Sequence, residues 1–566
     1  MTAVTTTARA TPAVATPSGQ AGEVAGMGDR ERRRAELRDR LLGPRMSSTR
    51  WDWVAVAAVT AVAGLLRFWR LDRPHRLVFD ETYYVKQGVS YLRAGYELGW
   101  NVKEREKVDA RFARGDTDVF FDQPDFVVHP PVGKWMIAAG EWVFGPASSW
   151  GWRFSAALVG TLSILMVTLI TRRMLRSTLL GVVAGLLLAV DGHHFVHSRT
   201  GLLDIFLMFW ALAAFGCLVI DRDDGRRRLA DRITDRITDR ITDRPAASGA
   251  ASAAGGAPRD LFGPGLGIRW WRLAAGVCLG LAVGTKWSGL YFIAVFGVMS
   301  LLWDAGARRA AGVRHWFLGA VLRDGPLAAA LILPTALIVY LASWTGWLLS
   351  SDAYDRQWAA QHPGEGAPWL PAALRSLWHY HQQMYHFHVT LETSHPYMAN
   401  PWSWIVMGRT TAFVYISPKH GELGCKVQTC SQAITALGNP VLWWGGTLAI
   451  AVLLFQWALR RDWRAGAILS GLLAGYLPWF LFQDRTIYNF YAVAFVPWLA
   501  IALTYTLGMI LGPTHTDQRR RRRGAVLAGA VVLTAVLAFW FFLPILSAQV
   551  IPQSQWSDRM WLTSWI

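Results

Sequence analysis

The chain has 566 residues, of which 53% are hydrophobic and only 17% are charged, and its apolar residues gather in long unbroken runs. This composition is typical of a polytopic membrane protein and excludes an ordinary soluble domain. The formal charge of +18 must lie in loops and tails, because a cation inside a bilayer is costly, so nucleic-acid binding is the weaker interpretation of that charge.

Two hydrophilic segments are predicted to lie on the cytoplasmic side without a packed structure. Residues 1–50 are rich in Ala, Thr, Gly and Arg and hold no apolar core before Trp51, which predicts a disordered tail and not a cleaved signal peptide. The repeat DRITDRITDRITDR, from Asp231 to Arg244, is typical of a solvated low-complexity linker.

Eleven apolar runs are long enough to be considered as membrane spans, since about 20 apolar residues cross a bilayer. They lie at 51–71, 150–171, 178–198, 200–220, 270–285, 287–303, 325–347, 439–459, 464–482, 487–510 and 524–545. With the N-terminus inside, every predicted inner loop is basic, as the positive-inside rule requires. Those loops carry Arg172, Arg173 and Arg176, Arg226 to Arg228, Arg308 and Arg309, Arg460 and Arg461, and Arg519 to Arg523.

The predicted spans divide the chain around two large extracytoplasmic loops. A first module, 51–347, includes the outer loop 72–149, and the second outer loop, 348–438, precedes the C-terminal helices of 439–566. Within the first loop, the apolar segment 132–144 is too short to span, so it predicts an amphipathic helix on the outer surface. The fold class expected from these features is an all-α polytopic membrane protein.

The four cysteines fall into two pairs of different surroundings. Cys217 and Cys278 lie within apolar runs, whereas Cys425 and Cys430 flank a short polar stretch of the second outer loop. A disulfide between the latter two requires an oxidising, extracytoplasmic location, so the pairing stays open at this point.

A pair of adjacent carboxylates, Asp80 and Glu81, follows the first predicted span within the sequence VFDETYY. Such a pair close to a membrane surface is costly enough to suggest a functional site. The alternative is that the two carboxylates neutralise the basic residues around the end of the span, namely Arg67, Arg70, Arg73 and Arg76.

Three short outer turns hold cations against the charge trend of the other loops. These are Arg199 in HSRTGLLD, Lys286 in GTKWSG and Arg485 in QDRTIYNFY. A single cation of this kind serves as a snorkelling anchor, but several that converge on the carboxylate pair would suit an anionic phosphate beside a general base.

The order of short motifs resembles the protein O-mannosyltransferase family, in its bacterial, actinobacterial-type form. The matching elements are Arg67, FDE at Phe79 to Glu81, HPPVGK at His129 to Lys134, WRFSA at Trp152 to Ala156, SRTGLLD, GTKWSG, SHPYMANPWSW at Ser394 to Trp404, and DRTIYNFY. Eukaryotic members carry a β-trefoil MIR domain in the second large loop, and the loop of this chain has no segment patterned to form one.

This resemblance implies a GT-C fold with about eleven transmembrane helices in the plasma membrane. It also implies transfer of mannose from polyprenyl-phosphate-mannose, at the outer face, to Ser or Thr hydroxyls of exported polypeptides. The resemblance implies no metal ion and no other cofactor. Because the acceptor would be an exported polypeptide, the protein translocon is an expected partner. No motif of the sequence tests this expectation.

The roles of individual residues follow from the chemistry that the resemblance implies. Asp80 is the expected general base, and attack from the side opposite the phosphate predicts inversion at the anomeric carbon. An extended segment would point Glu81 away from Asp80, toward Arg67, Arg153 or the sugar hydroxyls. Arg485 is the first candidate for the leaving phosphate, with Lys286 and Lys134 behind it. Arg67 and Arg153 are either donor-binding cations or ion-pair partners, and the candidates for the acceptor groove are His129, His395 and Asn400.

Three other interpretations fit parts of the sequence. The histidines His379, His381, His386 and His388 do not share one helix face and alternate with aromatic residues, which disfavours a metal site. A different GT-C transferase, acting on a glycolipid or a cell-wall polymer, would keep the acidic pair and the cations. A transporter would be expected to show internal repeats and broken helices, which the sequence pattern does not reveal.

Overall fold

A computed structural model of the chain describes residues 28–43, 46–242, 260–513 and 517–566. Helices dominate these residues. The helices are α1 Asp29–Leu42, α2 Arg50–Phe68, α3 Glu81–Ala94, α4 Arg105–Ala113, α5 Val132–Phe144, α6 Ser149–Leu175, α7 Thr178–Ala189, α8 Gly192–His197, α9 Asp204–Thr242, α10 Trp270–Val283, α11 Gly289–Ala310, α12 Trp316–Gly319, α13 Gly325–Ser343, α14 Thr345–Leu349, α15 Trp358–Gln361, α16 Ala372–Thr390, α17 Pro401–Trp404, α18 Pro440–Ala458, α19 Trp463–Gly475, α20 Val496–Leu511, α21 Gln518–Leu546 and α22 Gln553–Ser557.

Two small antiparallel sheets accompany the helices, so the expected all-α class is wrong in detail. Strands β1 (Leu98–Trp100) and β2 (Phe120–Pro124) pair within the first large loop. Strands β3 (Thr411–Ile416), β4 (Cys430–Ala436) and β5 (Val550–Pro552) form a sheet in the order β3-β4-β5. These segments hold the β-branched and aromatic residues that fit a pleated, half-buried surface.

The helices make the chain a multi-pass membrane protein. Within the described residues, seven helices are long and apolar enough to cross a bilayer. They are Arg50–Phe68, Ser149–Leu175, Asp204–Arg236, Gly289–Ala310, Trp316–Ser343, Pro440–Ala458 and Gln518–Leu546. Three shorter apolar helices, Thr178–Ala189, Trp270–Val283 and Val496–Leu511, coincide with other predicted spans. The count of eleven stays a prediction.

Four predicted spans are interrupted, contrary to the expectation of unbroken helices, and one of them, 325–347, divides at Trp344 between α13 and α14. The run 178–198 divides at Asp191, whose carboxylate accepts a 2.8 Å hydrogen bond from the His194 amide and begins α8. The segment after α19 tightens into a 3₁₀ helix, Leu477–Leu481, and another 3₁₀ helix, Asn489–Ala494, precedes α20. Proline contributes to the break after α19, because Pro478 cannot donate the hydrogen bond that would continue that helix.

The chain divides into two compact units, and the smaller one comprises 1–45, 222–267 and 304–324. In this unit α1 pairs with the end of α9, since Arg34 and Arg38 both hold the Asp231 carboxylate, at 2.7 and 2.9 Å. The prediction of a disordered tail is therefore wrong for α1, because these ion pairs stabilise it. The remainder of the predicted tail, 1–27 with 44–45, lies outside the described residues.

The segment Asp231 to Arg244, predicted to be a solvated low-complexity linker, is helical as far as Thr242, where α9 ends. A repeat of four residues is close to the helical period, so it places like residues on one face. Ile233 on that face packs against a buried cluster that includes Leu229 and Leu266. The end of the predicted linker, from 243 onward, lies outside the described residues.

The larger unit comprises 46–221, 268–303 and 325–566 and contains the main apolar core. Helix α6 lies at its centre and packs against α2, α5 and α7, while α18 packs against α19, α20 and α21. The helix predicted for 132–144 is present as α5, with Trp142 largely exposed, and it packs against both α3 and α6. The two large loops of the unit meet where Phe79 contacts Phe413 before α3 and where His129 contacts His388 before α5.

Candidate functional site

The site begins at Asp80, directly before the first turn of α3. Its neighbour Phe79 has a positive φ of 52°, a left-handed conformation that costs a bulky residue about 1–3 kcal/mol. Aromatic contacts hold Phe79 in place, because its ring stacks on Phe413 at 4.7 Å and meets Phe490 edge-on at 5.2 Å. Residues of β3 and of the segment before α20 thus fix the backbone that presents Asp80.

The Asp80 carboxyl group is partly exposed and accepts no hydrogen bond from the part of the chain that the structure describes. Burial raises the pKa of this carboxyl to about 6, with Lys286 opposing the shift and Asp204 adding to it. A carboxylate that is unpaired and poised near neutral pH is suited to accept a proton.

Glu81 is fully buried and lies in a different environment from Asp80. Its carboxylate accepts from Arg153 Nε at 2.8 Å and Nη2 at 2.9 Å, and from the backbone amides of Val78 at 3.0 Å and Gly201 at 2.8 Å. The expectation of an extended segment is wrong, because Glu81 is the first residue of α3. The two carboxylates still diverge, and the partner of Glu81 is Arg153 and not Arg67.

Lys286 and Lys134 each have a buried carboxylate partner. Lys286 Nζ lies 2.8 and 2.9 Å from the two carboxylate oxygens of Asp204, the first residue of α9. Lys134 Nζ donates to Glu97 at 2.6 Å and to the carbonyl oxygen of His129, also at 2.6 Å. Lys286 acts electrostatically on Asp80, and the charges of both lysines are compensated by these carboxylates.

Arg485 differs from those lysines, because no carboxylate within the described residues pairs with it. Its Nη2 donates to His388 Nδ1 at 3.1 Å, and its Nε is buried without a hydrogen-bond partner. His388 Nε2 donates to the Val128 carbonyl at 2.8 Å, which fixes the tautomer that leaves Nδ1 free to accept. Burial and the neighbouring Arg485 lower the pKa of His388 to about 4, so the ring is neutral at physiological pH.

The remaining predicted cations, Arg67 and Arg199, donate to neutral groups, and the Nε of Arg67 is buried without a hydrogen-bond partner within the described residues. Arg67, at the end of α2, is fully buried and donates to His194 Nδ1 at 2.8 Å and to the Ala63 carbonyl. Arg199 donates to four carbonyl groups, those of Leu66 and Arg67 in the last turn of α2 and those of Trp69 and Arg70 directly after it. Arg199 therefore completes the C-terminus of that helix.

The three acceptor-groove candidates are separated in the structure. His129 lies between Tyr84, at a ring distance of 6.1 Å, and His388, at 5.3 Å. His395 meets Tyr488 edge-on at 5.3 Å. Asn400 caps α17, since its side-chain oxygen accepts from the Trp402 amide.

The four histidines of α16 face different partners. His379 stacks on Trp358, His381 contacts the Tyr340 hydroxyl at 2.5 Å, and His388 binds Arg485, while His386 is exposed. Across the described part of the chain, no group of three or more His, Cys, Asp or Glu side chains is arranged to hold a metal ion.

Cys425 and Cys430 form a disulfide between the turn after β3 and the start of β4. The sequence left this pairing open. The bond closes a short loop beside the sheet whose strand β3 supplies Phe413, the residue that stacks on Phe79.

Several site residues had no role in the sequence-based hypothesis. Asp204 and Glu97 compensate the two lysines, and His388 orients Arg485. Asp204 ends the motif SRTGLLD, but its partner is Lys286 and not Arg199 of the same motif. Asp204, Glu97 and His388 lie 82, 37 and 97 residues from their partners in sequence, so no local signal reveals these pairs.

Taken together, the site offers an unpaired carboxylate, an uncompensated guanidinium and aromatic walls. Tyr488 and Tyr491 lie within electrostatic range of both Asp80 and Arg485. The carboxylate can take a proton from a hydroxyl group, and the guanidinium can stabilise negative charge that develops on a departing group.

The sequence of this chain is similar to those of known mannosyltransferases. The family model for dolichyl-phosphate-mannose-protein mannosyltransferase matches residues 124–228, and the model for the C-terminal four TMM region of protein-O-mannosyltransferase matches residues 373–565. The polyprenol-phosphate-mannose–protein mannosyltransferase of Mycolicibacterium smegmatis is 39% identical over 91% of this chain and 93% of its own length. The protein of the same name from Corynebacterium glutamicum is 33% identical over 92% of this chain and 94% of its own.

A solved structure agrees with the fold. The Saccharomyces cerevisiae protein O-mannosyltransferase Pmt1-Pmt2 complex bound to the sugar donor matches with a TM-score of 0.64. That match covers 94% of both chains at 14% sequence identity. The two proteins therefore share the arrangement of their helices although their sequences differ at most positions.

The Glu81–Arg153 pair gives a prediction for stability. Glu81→Gln should lower the free energy of unfolding by about 3–5 kcal/mol, because it leaves a buried guanidinium without its counter-charge. Thermal unfolding of the purified protein in detergent measures the change. The matched control is Glu104→Gln, which removes an exposed pair with Lys107 and should cost about 1 kcal/mol or less. Equal shifts in the two variants would contradict the structural role of Glu81.

Proposed function

Because the chain belongs to the protein O-mannosyltransferase family, we propose that it transfers mannose from polyprenyl-phosphate-mannose to Ser or Thr hydroxyls of exported polypeptides. The chain covers nearly the whole length of relatives that carry that activity in their names. The observation that supports the mechanism is that the unpaired Asp80 carboxylate and the Arg485 guanidinium, which lacks a counter-charge, both act electrostatically on Tyr488 and Tyr491.

In this proposal Asp80 is the general base. A serine or threonine hydroxyl is too weak an acid to ionise in advance, so Asp80 takes its proton while the new bond to the anomeric carbon forms. The attacking oxygen enters from the side opposite the phosphate, which gives inversion. The absence of a hydrogen bond to the carboxylate within the described residues leaves its oxygens available for that proton.

Arg485 is proposed to stabilise the leaving polyprenyl phosphate. A phosphate oxygen is a strong acceptor for the forked donors of a guanidinium, and a fixed cation needs no reorganisation as negative charge develops. The buried Nε of Arg485 has no protein acceptor, which supports this role over Lys286 and Lys134. Lys286 instead acts on Asp80 through its charge.

The proposed location is the plasma membrane, with the N-terminus inside and Asp80 outside. Two observations support this orientation: the basic predicted inner loops and the disulfide between Cys425 and Cys430. A disulfide is expected to persist in an oxidising compartment, which suits the outer side.

Replacement of the base tests the mechanism. Asp80→Asn should reduce mannose transfer by about 100-fold or more, because an amide cannot accept the proton. Membranes that contain the variant are supplied with labelled polyprenyl-phosphate-mannose and a Ser/Thr-rich peptide, and labelled peptide is counted. Asp122→Asn, at an exposed position of the same loop, is the control and should retain activity. Labelled glycolipid without labelled peptide in the wild type would instead indicate a different lipid-phosphate-sugar transferase.

The raised pKa of Asp80 predicts the pH dependence of the reaction. The base works only when ionised, so kcat/KM should fall as the pH drops through about 6 and level off above it. Lys286→Gln removes a positive charge that favours the ionised form of Asp80. The fall of kcat/KM at low pH should therefore occur at a higher pH in this variant. If kcat/KM falls at the same pH in this variant as in the wild type, the assignment of that pH dependence to Asp80 is wrong.

Arg485 and His388 should affect use of the donor more than use of the peptide. Arg485→Ala removes a charged hydrogen bond to phosphate and should lower kcat/KM for the donor about 10- to 100-fold. His388→Ala should produce a smaller loss in the same parameter, because it removes only the acceptor that orients Arg485. His386→Ala, at an exposed position two residues away on α16, is the control and should leave donor kinetics unchanged. Unchanged donor kinetics in Arg485→Ala would exclude the phosphate role.

A further inference from the structure

A second concave site lies far from Asp80, at the ends of α18, α19 and α20. The cavity has a volume of about 500 Å³, and its lining includes Arg460, Arg461, Arg464, Asp462 and Tyr505. Most of its charged groups are arginines, so the cavity attracts an anion.

The position of this cavity follows from α18. That helix begins directly after the sheet, whose residue Phe413 stacks on Phe79 beside Asp80. It ends at Ala458 after 19 residues, which corresponds to about 28 Å along its axis. Arg460 and Arg461 therefore lie at the opposite end of the helix from the candidate site, on the side that the basic loops predict to be cytoplasmic.

The ion pairs within the cavity leave two charges uncompensated. Arg464 Nε and Nη2 bind the Asp462 carboxylate at 2.9 and 2.7 Å, and the Tyr505 hydroxyl donates to the same group at 2.7 Å. The carboxylate is thus occupied. The side chains of Arg460 and Arg461 are exposed and make neither a hydrogen bond nor an ion pair within the described residues.

Apolar surface continues from these arginines toward the membrane. Phe455 and Leu459 on α18 are 51% and 70% exposed, and Met509, which lines the cavity, is 41% exposed. A ligand that contacts both surfaces must carry an anionic group and long apolar chains. A free phosphate ion would use only the arginines.

We infer that this cavity binds the headgroup of an anionic phospholipid of the inner leaflet. Basic pockets between helices on the cytoplasmic side are suited to such headgroups, because the phosphate meets fixed cations while the acyl chains stay in the bilayer. Arg460 and Arg461 supply the uncompensated donors, and Phe455, Leu459 and Met509 border the acyl chains. The inference does not depend on the transferase activity.

The test uses the full-length protein in an uncharged detergent. Native mass spectrometry counts the molecules of phosphatidylglycerol or phosphatidylcholine that remain bound, with inorganic phosphate as a competitor. The wild type should retain phosphatidylglycerol in preference to phosphatidylcholine. Arg460→Gln/Arg461→Gln should bind phosphatidylglycerol about 30-fold more weakly, since each basic residue near an anionic headgroup contributes about fivefold.

The matched control is Arg519→Gln/Arg520→Gln, in the exposed first turn of α21. It removes the same charge near the end of α20 but does not line the cavity, so it should keep wild-type binding. Equal losses in the two double variants would show a diffuse attraction and overturn the site. Displacement of the lipid by inorganic phosphate would show a small-anion site, and equal retention of phosphatidylcholine would show no headgroup preference. If thermal unfolding shows that the first variant does not fold, Arg460→Gln alone replaces it and should lose part of the preference; an unchanged preference would overturn the inference.

Discussion

The buried carboxylate of Glu81 holds together three segments that are distant in the sequence. It binds Arg153 on α6, the amide of Val78 before α3 and the amide of Gly201 before α9. The protein interior has a low dielectric constant, so a buried carboxylate is stable there only when hydrogen-bond donors and an opposite charge surround it. The position of α3, and with it the direction of Asp80, depends on that arrangement.

The same requirement explains how the nearby charges are distributed. Lys134 and Lys286 lie deep enough to need counter-charges, and Glu97 and Asp204 supply them. Four charged groups of the candidate site have no opposite charge at hydrogen-bond distance within the described residues, namely Asp80, Arg485, Arg67 and Arg199. Arg67 and Arg199 are held at the end of α2 by a histidine ring and by backbone carbonyl groups, and the proposed reaction would use Asp80 and Arg485.

Aromatic packing also fixes the backbone next to Asp80. Phe79 would not keep its left-handed backbone by itself, but Phe413 and Phe490 hold its ring from two sides. The first of these comes from the second large loop and the other from the segment before α20. The geometry of Asp80 is therefore shared among parts of the chain that lie hundreds of residues apart.

The sequence by itself determined the membrane class, the approximate positions of the apolar helices and the family. These properties reside in composition, in apolar runs and in motif order, and the motif order also suggested Asp80, Glu81 and Arg485 as candidate site residues. Local patterns could not show that α1 is helical, since Arg34 and Arg38 gain their partner from Asp231. They also could not assign Arg153 to Glu81 or His388 to Arg485. Only the tertiary structure decided which charges are compensated. A buried charge pairs with a group that is close in space, and that group can lie far away in the sequence.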